Sequence, residues 1–140
     1  MKSKKPSLQL LGRSEMGLPN KPSSSVLETF PNAHLKGNYE VQFDSEDFTS
    51  LCPVTGQPDF ASISIRYVPG KLCIESKSLK FYLAAFRNQA MFNEAVVNTI
   101  LGDFVKACGP VFVEVQGQFA PRGGVGLTVT ATFGKPKKLG

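Results

Sequence analysis

Apolar and polar side chains alternate where Tyr39, Val41 and Phe43 stand against Glu40 and Gln42, the two-residue period of a half-buried strand. The period returns after Asp59, with Ala61, Ile63, Ile65 and Tyr67 on one face. Pro69-Gly70 then turns the chain into a short extended stretch over 71–74. Beyond it the period lengthens. Leu79, Tyr82, Leu83 and Phe86 fall three and four residues apart, which predicts a helix over 78–87. Phe92, Val96, Ile100, Phe104 and Cys108 recur every four residues, predicting a second helix that stops at Gly109-Pro110. Alternation resumes at Val111, Val113 and Val115, and again at Leu127, Val129, Ala131 and Phe133, which predicts two further strands.

The predicted order is ββααββ. Four antiparallel strands with two helices on one face form an α+β sandwich, whose second sheet face and two edges need cover. Self-association supplies it most simply. Residues 1–37, rich in Lys, Ser, Pro and Gly, read as a partly ordered N-terminal arm, 38–136 as the folded domain and 137–140 as a tail.

Composition narrows the class. At 140 residues and 41% hydrophobic the chain is one globular domain. Its 16 Lys and Arg outnumber 11 Asp and Glu, a charge of +5 that suits an anionic ligand. Much of that excess sits in Lys2, Lys4, Lys5, Lys135, Lys137 and Lys138 near the termini, so direct nucleic-acid binding is not expected. No apolar run is long enough to span a membrane, and no secretory signal opens the chain. Three cysteines, Cys52, Cys73 and Cys108, cannot all pair and show no CxxC spacing, which argues against a disulfide scaffold or a structural zinc. A reducing, cytoplasmic setting is expected, and no metal.

The candidate chemistry lies in Cys52-Pro-Val-Thr-Gly-Gln-Pro-Asp59-Phe60, a thiol and a carboxyl seven residues apart on a Pro/Gly-braced loop. Two readings stand on the residues alone: a nucleophile with its own acid, or a small buried hydrophobe beside a turn aspartate. The second half adds Glu75-Ser-Lys-Ser-Leu-Lys80-Phe81-Tyr82, Ala85-Phe-Arg87-Asn88, Phe92-Asn-Glu94 and Pro121-Arg122-Gly-Gly124. In this order, and with Leu10-Leu-Gly12, Leu27-Glu-Thr-Phe-Pro-Asn32 and Gly134-Lys-Pro136 flanking them, these motifs resemble the NADPH-dependent nitrile reductases of queuosine biosynthesis, the QueF family, in its short single-domain form.

The resemblance implies the tunnelling fold, whose units close into oligomeric barrels with active sites between subunits, here a decamer of two pentameric rings. It implies reduction of the nitrile of 7-cyano-7-deazaguanine to the aminomethyl group with two NADPH, a step toward a modified tRNA base. Cys52 matches the nucleophile that forms a thioimide, and Asp59 the proton donor. A carboxyl that donates near neutrality needs apolar burial, which is expected at Asp59. Either surrounding Lys, Arg and cofactor charge or a nearby base is expected to provide the Cys52 thiolate. Ile74, Glu75, Ser76 and Glu94 match substrate-binding positions, Glu94 taking two N–H donors of the ring. Ser76, Lys77, Arg122 and Gly123 match cofactor-binding positions, and Lys80 offers further charge for NADPH phosphates. From the residues alone Glu94 reads equally as a first-turn helix carboxylate, Lys80 as a surface lysine, and Pro121 to Gly124 as a turn.

One position departs from the family pattern. Asn93 stands where a histidine usually precedes the anchoring glutamate, and the sole histidine, His34, lies in the arm. Asn hydrogen-bonds as a neutral imidazole does but carries no proton near neutrality, so binding is safer than turnover. Two other functions fit the same pocket: a relative that adds ammonia to the thioimide on tRNA to give an amidine, and a homologue that binds without turnover. The Ser76 to Lys80 run and Arg122-Gly-Gly124 argue against the first.

Overall fold

The structure is a computed structural model that describes residues 17–136. Residues 1–16, with the start of the arm and of the resemblance at Leu10-Leu-Gly12, and the 137–140 tail lie outside the described residues. A 3-10 turn at Ser24–Val26 leads into β1 (Thr29–Pro31), β2 (Val41–Leu51), β3 (Pro58–Val68), β4 (Leu72–Ile74) and α1 (Ser76–Ala84). A second 3-10 turn at Ala85–Asn88 precedes α2 (Asn93–Cys108), β5 (Phe112–Arg122) and β6 (Val125–Gly134). β2, β3, β5 and β6 form one antiparallel sheet in that order, and β1 pairs antiparallel with β4. The four long strands and two helices are those the periodicity predicts. β4 is the short extended stretch expected over 71–74, whereas its partner β1 is an addition from the arm, whose pattern announces no strand.

Ile65 and Tyr67 of β3 stand opposite Val115 and Val113 of β5, and all four are buried on the sheet's inner face. α2 lays Val96, Val97, Ile100 and Phe104 over that face, each fully buried. Tyr67 and Phe104 meet edge to face at 4.8 Å. Phe48 and Phe86, 5.4 Å apart, tie β2 to the 3-10 turn after α1. Burying such a ring contributes about 2–3 kcal/mol. The outer face carries Ser62, Ser64, Gln116, Thr128 and Thr130, and Arg66 bridges Glu40 at 3.1 Å and Glu114 at 3.2 Å. The cover expected for this face is therefore not demanded by its side chains, because one face of an antiparallel sheet can remain solvated. Among the described residues no further strand pairs with the edges β2 and β6, apart from a short parallel bridge between Leu51 at the end of β2 and Ala90.

The site depends on an irregularity in β2. Val41, Phe43 and Ser45 stand opposite Tyr67, Ile65 and Ile63, the register slips between Ser45 and Phe48, and Phe48 and Ser50 then stand opposite Ala61 and Asp59. One extra residue reverses which parity faces the core. Odd positions point inward before the bulge and even positions after it. For that reason the alternation legible over 39–43 stops there, although the strand runs on to Leu51.

Part of the arm is stitched to α1. Leu27 and Glu28 are buried, the Glu28 N–H donates to Ser78 Oγ at 2.8 Å, and the Glu75 N–H donates to the Glu28 carbonyl at 2.8 Å. Arg87 Nη1 donates to the Pro19 carbonyl at 2.9 Å.

Candidate active site

The loop from β2 to β3 is closed by its own backbone: the Cys52 N–H donates to the Gln57 carbonyl and the Gly56 N–H to the Cys52 carbonyl, both at 2.8 Å. Cys52 is partly exposed. Its thiol pKa is lowered from the ordinary value, first by the Thr55 hydroxyl and then by the Thr55 and Val54 backbone, against opposing effects of burial and the Asp59 charge. Within the chain, the donors that lower it belong to the turn itself. Cys73 and Cys108 are buried, and burial pushes the Cys108 thiol up to about 12. Both are core residues.

Asp59 is buried as expected, at 9% exposure, but its surroundings are not apolar. Arg122 Nε lies 2.8 Å from Asp59 Oδ1, and Arg122 Nη2 donates to the Pro58 carbonyl at 3.0 Å. Arg122 ends β5 and pairs with Val125 across Gly123 and Gly124, whose φ angles are 58° and 81°. Two successive positive φ values make the two-residue hairpin turn whose twist suits the flanking strands. Pro121 to Gly124 is thus a turn, and that turn aims Arg122 at the acid.

Leu51 holds the start of α2 close to Cys52. Its N–H donates to the Gln89 carbonyl at 2.9 Å, and the Met91 N–H donates to its carbonyl at 3.0 Å. Asn93 opens α2 with Oδ1 buried and unpaired, while Glu94 is exposed in the first turn. Cys52, Asp59, Arg122, Gly123, Asn93 and Glu94 therefore gather at one end of the unit. A buried Ser50 hydroxyl, also unpaired, belongs to this end, and nothing in the sequence pattern singles it out.

Ile74, Glu75, Ser76 and Lys77 lie at the other end, where α1 begins, and Lys80 follows at the middle of the helix. The nine residues of α1 span about 13 Å, and the 3-10 turn extends that separation. One chain does not bring this group to Cys52. Glu75 caps α1, with Oε1 accepting from the Ser78 N–H at 2.7 Å and Oε2 from the Lys77 N–H at 2.9 Å. The Ile74 N–H donates to Tyr67 Oη at 3.0 Å. Ser76 and Lys80, with Arg87 farther along, line one wall of a groove of about 560 Å³ between α1 and β2. Its floor is Phe43, Phe48, Leu79 and Leu83, and its other wall carries Asp44, Glu46 and Asp47. Arg87 was visible in the motifs without a role. Among the described residues no group of His, Cys, Asp and Glu is placed to hold a metal ion, and no helix is long and apolar enough to cross a membrane.

A family model described as QueF-like protein matches residues 58–138. The NADPH-dependent 7-cyano-7-deazaguanine reductase of Streptococcus thermophilus is 48% identical over 130 residues, covering 93% of this chain and 80% of that protein. The enzyme of the same name from Bacillus subtilis is 50% identical over 111 residues, 79% of this chain and 67% of that protein. That from Bacteroides thetaiotaomicron is 47% identical over 132 residues, 94% and 87% of the two chains. The crystal structure of an archaeosine synthase, described as QueF-Like in the apo form, superposes with a TM-score of 0.65 over 70% of this chain and 96% of that one. At 21% identity this likeness speaks for the fold, which is the tunnelling fold. With relatives close to one-half identical along nearly its whole length, the chain belongs to the QueF family.

Proposed function

We propose that the chain is an NADPH-dependent oxidoreductase that reduces the nitrile of 7-cyano-7-deazaguanine to the aminomethyl group in queuosine biosynthesis. The observation that carries this reading is the Cys52 thiol, partly exposed and with its pKa lowered by the Thr55 turn, one loop away from the buried carboxyl of Asp59. The reductases similar to it along most of their length support the same substrate and cofactor.

In this reading the Cys52 thiolate adds to the nitrile carbon, and the nitrogen takes a proton to give a thioimide. NADPH, held by the residues named below, would supply the hydride for that carbon. Asp59 gives a proton to the nitrogen as it is reduced, the Cys52 sulfur leaves with its bonding pair, and a second hydride and proton complete the amine. Glu94 accepts hydrogen bonds from the ring, and Asn93 orients it without carrying a proton. Ile74, Glu75 and Ser76 complete the substrate contacts. Lys77, Lys80 and Arg122 would hold the cofactor phosphates beside Ser76, and Gly123 leaves room for close approach; their charge and their placement on exposed or partly exposed surface fit that ligand.

Because residues 74–77 lie at the start of α1 and the Cys52 group lies beyond its far end, a second copy of the chain would bring its 74–80 segment to the first copy's Cys52. A homo-oligomer that closes the β2 and β6 edges into a barrel, as a decamer of two five-membered rings, meets that need. The cytoplasm suits the free thiol. No contact with nucleic acid is required.

NADPH absorbance with and without 7-cyano-7-deazaguanine tests the assignment, beside intact mass for a covalent adduct. Two NADPH oxidised per nitrile, with the adduct lost in Cys52→Ala, is the expected result. An adduct without NADPH oxidation would instead favour amidine formation or binding alone. Absence of both signals would remove the assignment.

A further inference from the structure

Two buried side-chain polar atoms among the described residues lack a partner, Ser50 Oγ and Asn93 Oδ1, and both lie at the Cys52 end of the unit. An unpaired buried hydroxyl destabilises a fold, so its retention asks for a state in which it is paired. Ser50 stands directly opposite Asp59 in the β2–β3 register, beyond the bulge, which places both side chains on the inner face. Directly opposite residues have Cβ atoms about 5 Å apart, within reach of a hydroxyl-to-carboxyl hydrogen bond after a rotamer change. In this structure Arg122 holds Asp59 Oδ1 instead.

We propose that Ser50 is a positioning residue for the Asp59 acid, its hydroxyl replacing Arg122 as the donor to one carboxyl oxygen once Arg122 turns to the cofactor. The inference rests on the functional reading above. A guanidinium partner favours the ionised carboxyl, whereas a neutral hydroxyl pairs with either form. Donation from Ser50 to one oxygen leaves the proton on the other, directed at the substrate nitrogen. When Asp59 has given that proton, the same hydroxyl still has a carboxylate to donate to, so nothing else need move.

The test compares wild type, Ser50→Ala, Ser50→Cys and Ser50→Thr in thermal melts, in the yield of the Cys52 adduct with 7-cyano-7-deazaguanine, and in NADPH turnover across pH. Ser50→Ala removes an unpaired group, and its melting temperature is expected to equal or exceed that of wild type. Its adduct yield and KM are expected to be unchanged while kcat falls on the order of 10- to 100-fold and the alkaline limb of the pH profile, where the proton donor is lost, moves. Ser50→Cys, a weak donor of similar size, is expected to behave like Ser50→Ala, and Ser50→Thr to retain turnover. Full turnover in Ser50→Ala and Ser50→Cys would overturn the proposal and leave the functional reading intact. So would parallel loss of melting temperature, adduct and kcat, which marks a purely structural role. A wild-type protein that forms no adduct and oxidises no NADPH would overturn both.

Discussion

Arg122 and Asp59 form a direct ion pair, Nε to Oδ1 at 2.8 Å, linking a position matched to the cofactor with one matched to the proton donor. The pair joins two adjacent strands, the end of β5 to the start of β3. Its guanidinium side chain is 46% exposed, so its share of folding stability is small, about 0–1 kcal/mol.

Arg122→Gln should therefore melt within a few degrees of wild type while KM for NADPH rises about 10-fold or more, as loss of a charge-assisted contact predicts. Titration of NADPH against each variant measures the effect. A KM equal to wild type would separate Arg122 from the cofactor.

Thr55→Val removes the largest influence that lowers the Cys52 pKa. The thiol pKa should rise, so less thiolate is present at neutral pH. Alkylation of Cys52 followed against pH should show its midpoint moved upward, with adduct formation slowed below that midpoint. An unmoved midpoint would mean that the turn does not activate the thiol.

Glu75→Ala strips the cap from α1, leaving the Lys77 and Ser78 N–H groups without their carboxylate acceptor. The expected cost is about 1 kcal/mol, read as a lower denaturation midpoint with an unchanged slope. Glu75→Asp should recover part of it. Because Glu75 also matches a substrate position, adduct yield at saturating nitrile distinguishes a melted cap from a lost contact.

Tyr82 is fully buried and donates to Asp103 Oδ2 at 2.6 Å, joining α1 to α2. Tyr82→Phe should destabilise by about 1–3 kcal/mol, because a hydrogen bond to a carboxylate is lost. Turnover of the folded fraction should be unaffected, since neither residue reaches Cys52 or Asp59.

Light scattering tests the assembly. The homo-oligomer expected here has ten times the 15.2 kDa of one chain. A monomer with full turnover would contradict a site shared between copies.

The two periods in the sequence determined the four strands, both helices and their order, because burial of one face forces a repeat of two or of about four. Family motifs named Cys52, Asp59, Glu94 and Arg122 as candidates without placing them. Tertiary structure decided three things. The β2 bulge turned Ser50 onto the face of Asp59, and a parity reversal is illegible when Glu46 and Asp47 interrupt the alternation. The Gly123-Gly124 hairpin brought Arg122 onto Asp59 from 63 residues away, so the carboxyl expected in apolar surroundings has a cation instead. α1 held the 74–80 segment away from Cys52, although the motifs run in one sequence. Periodicity reports which side chains a strand or helix must bury; contacts between distant elements depend on register and turn geometry, which no local pattern encodes.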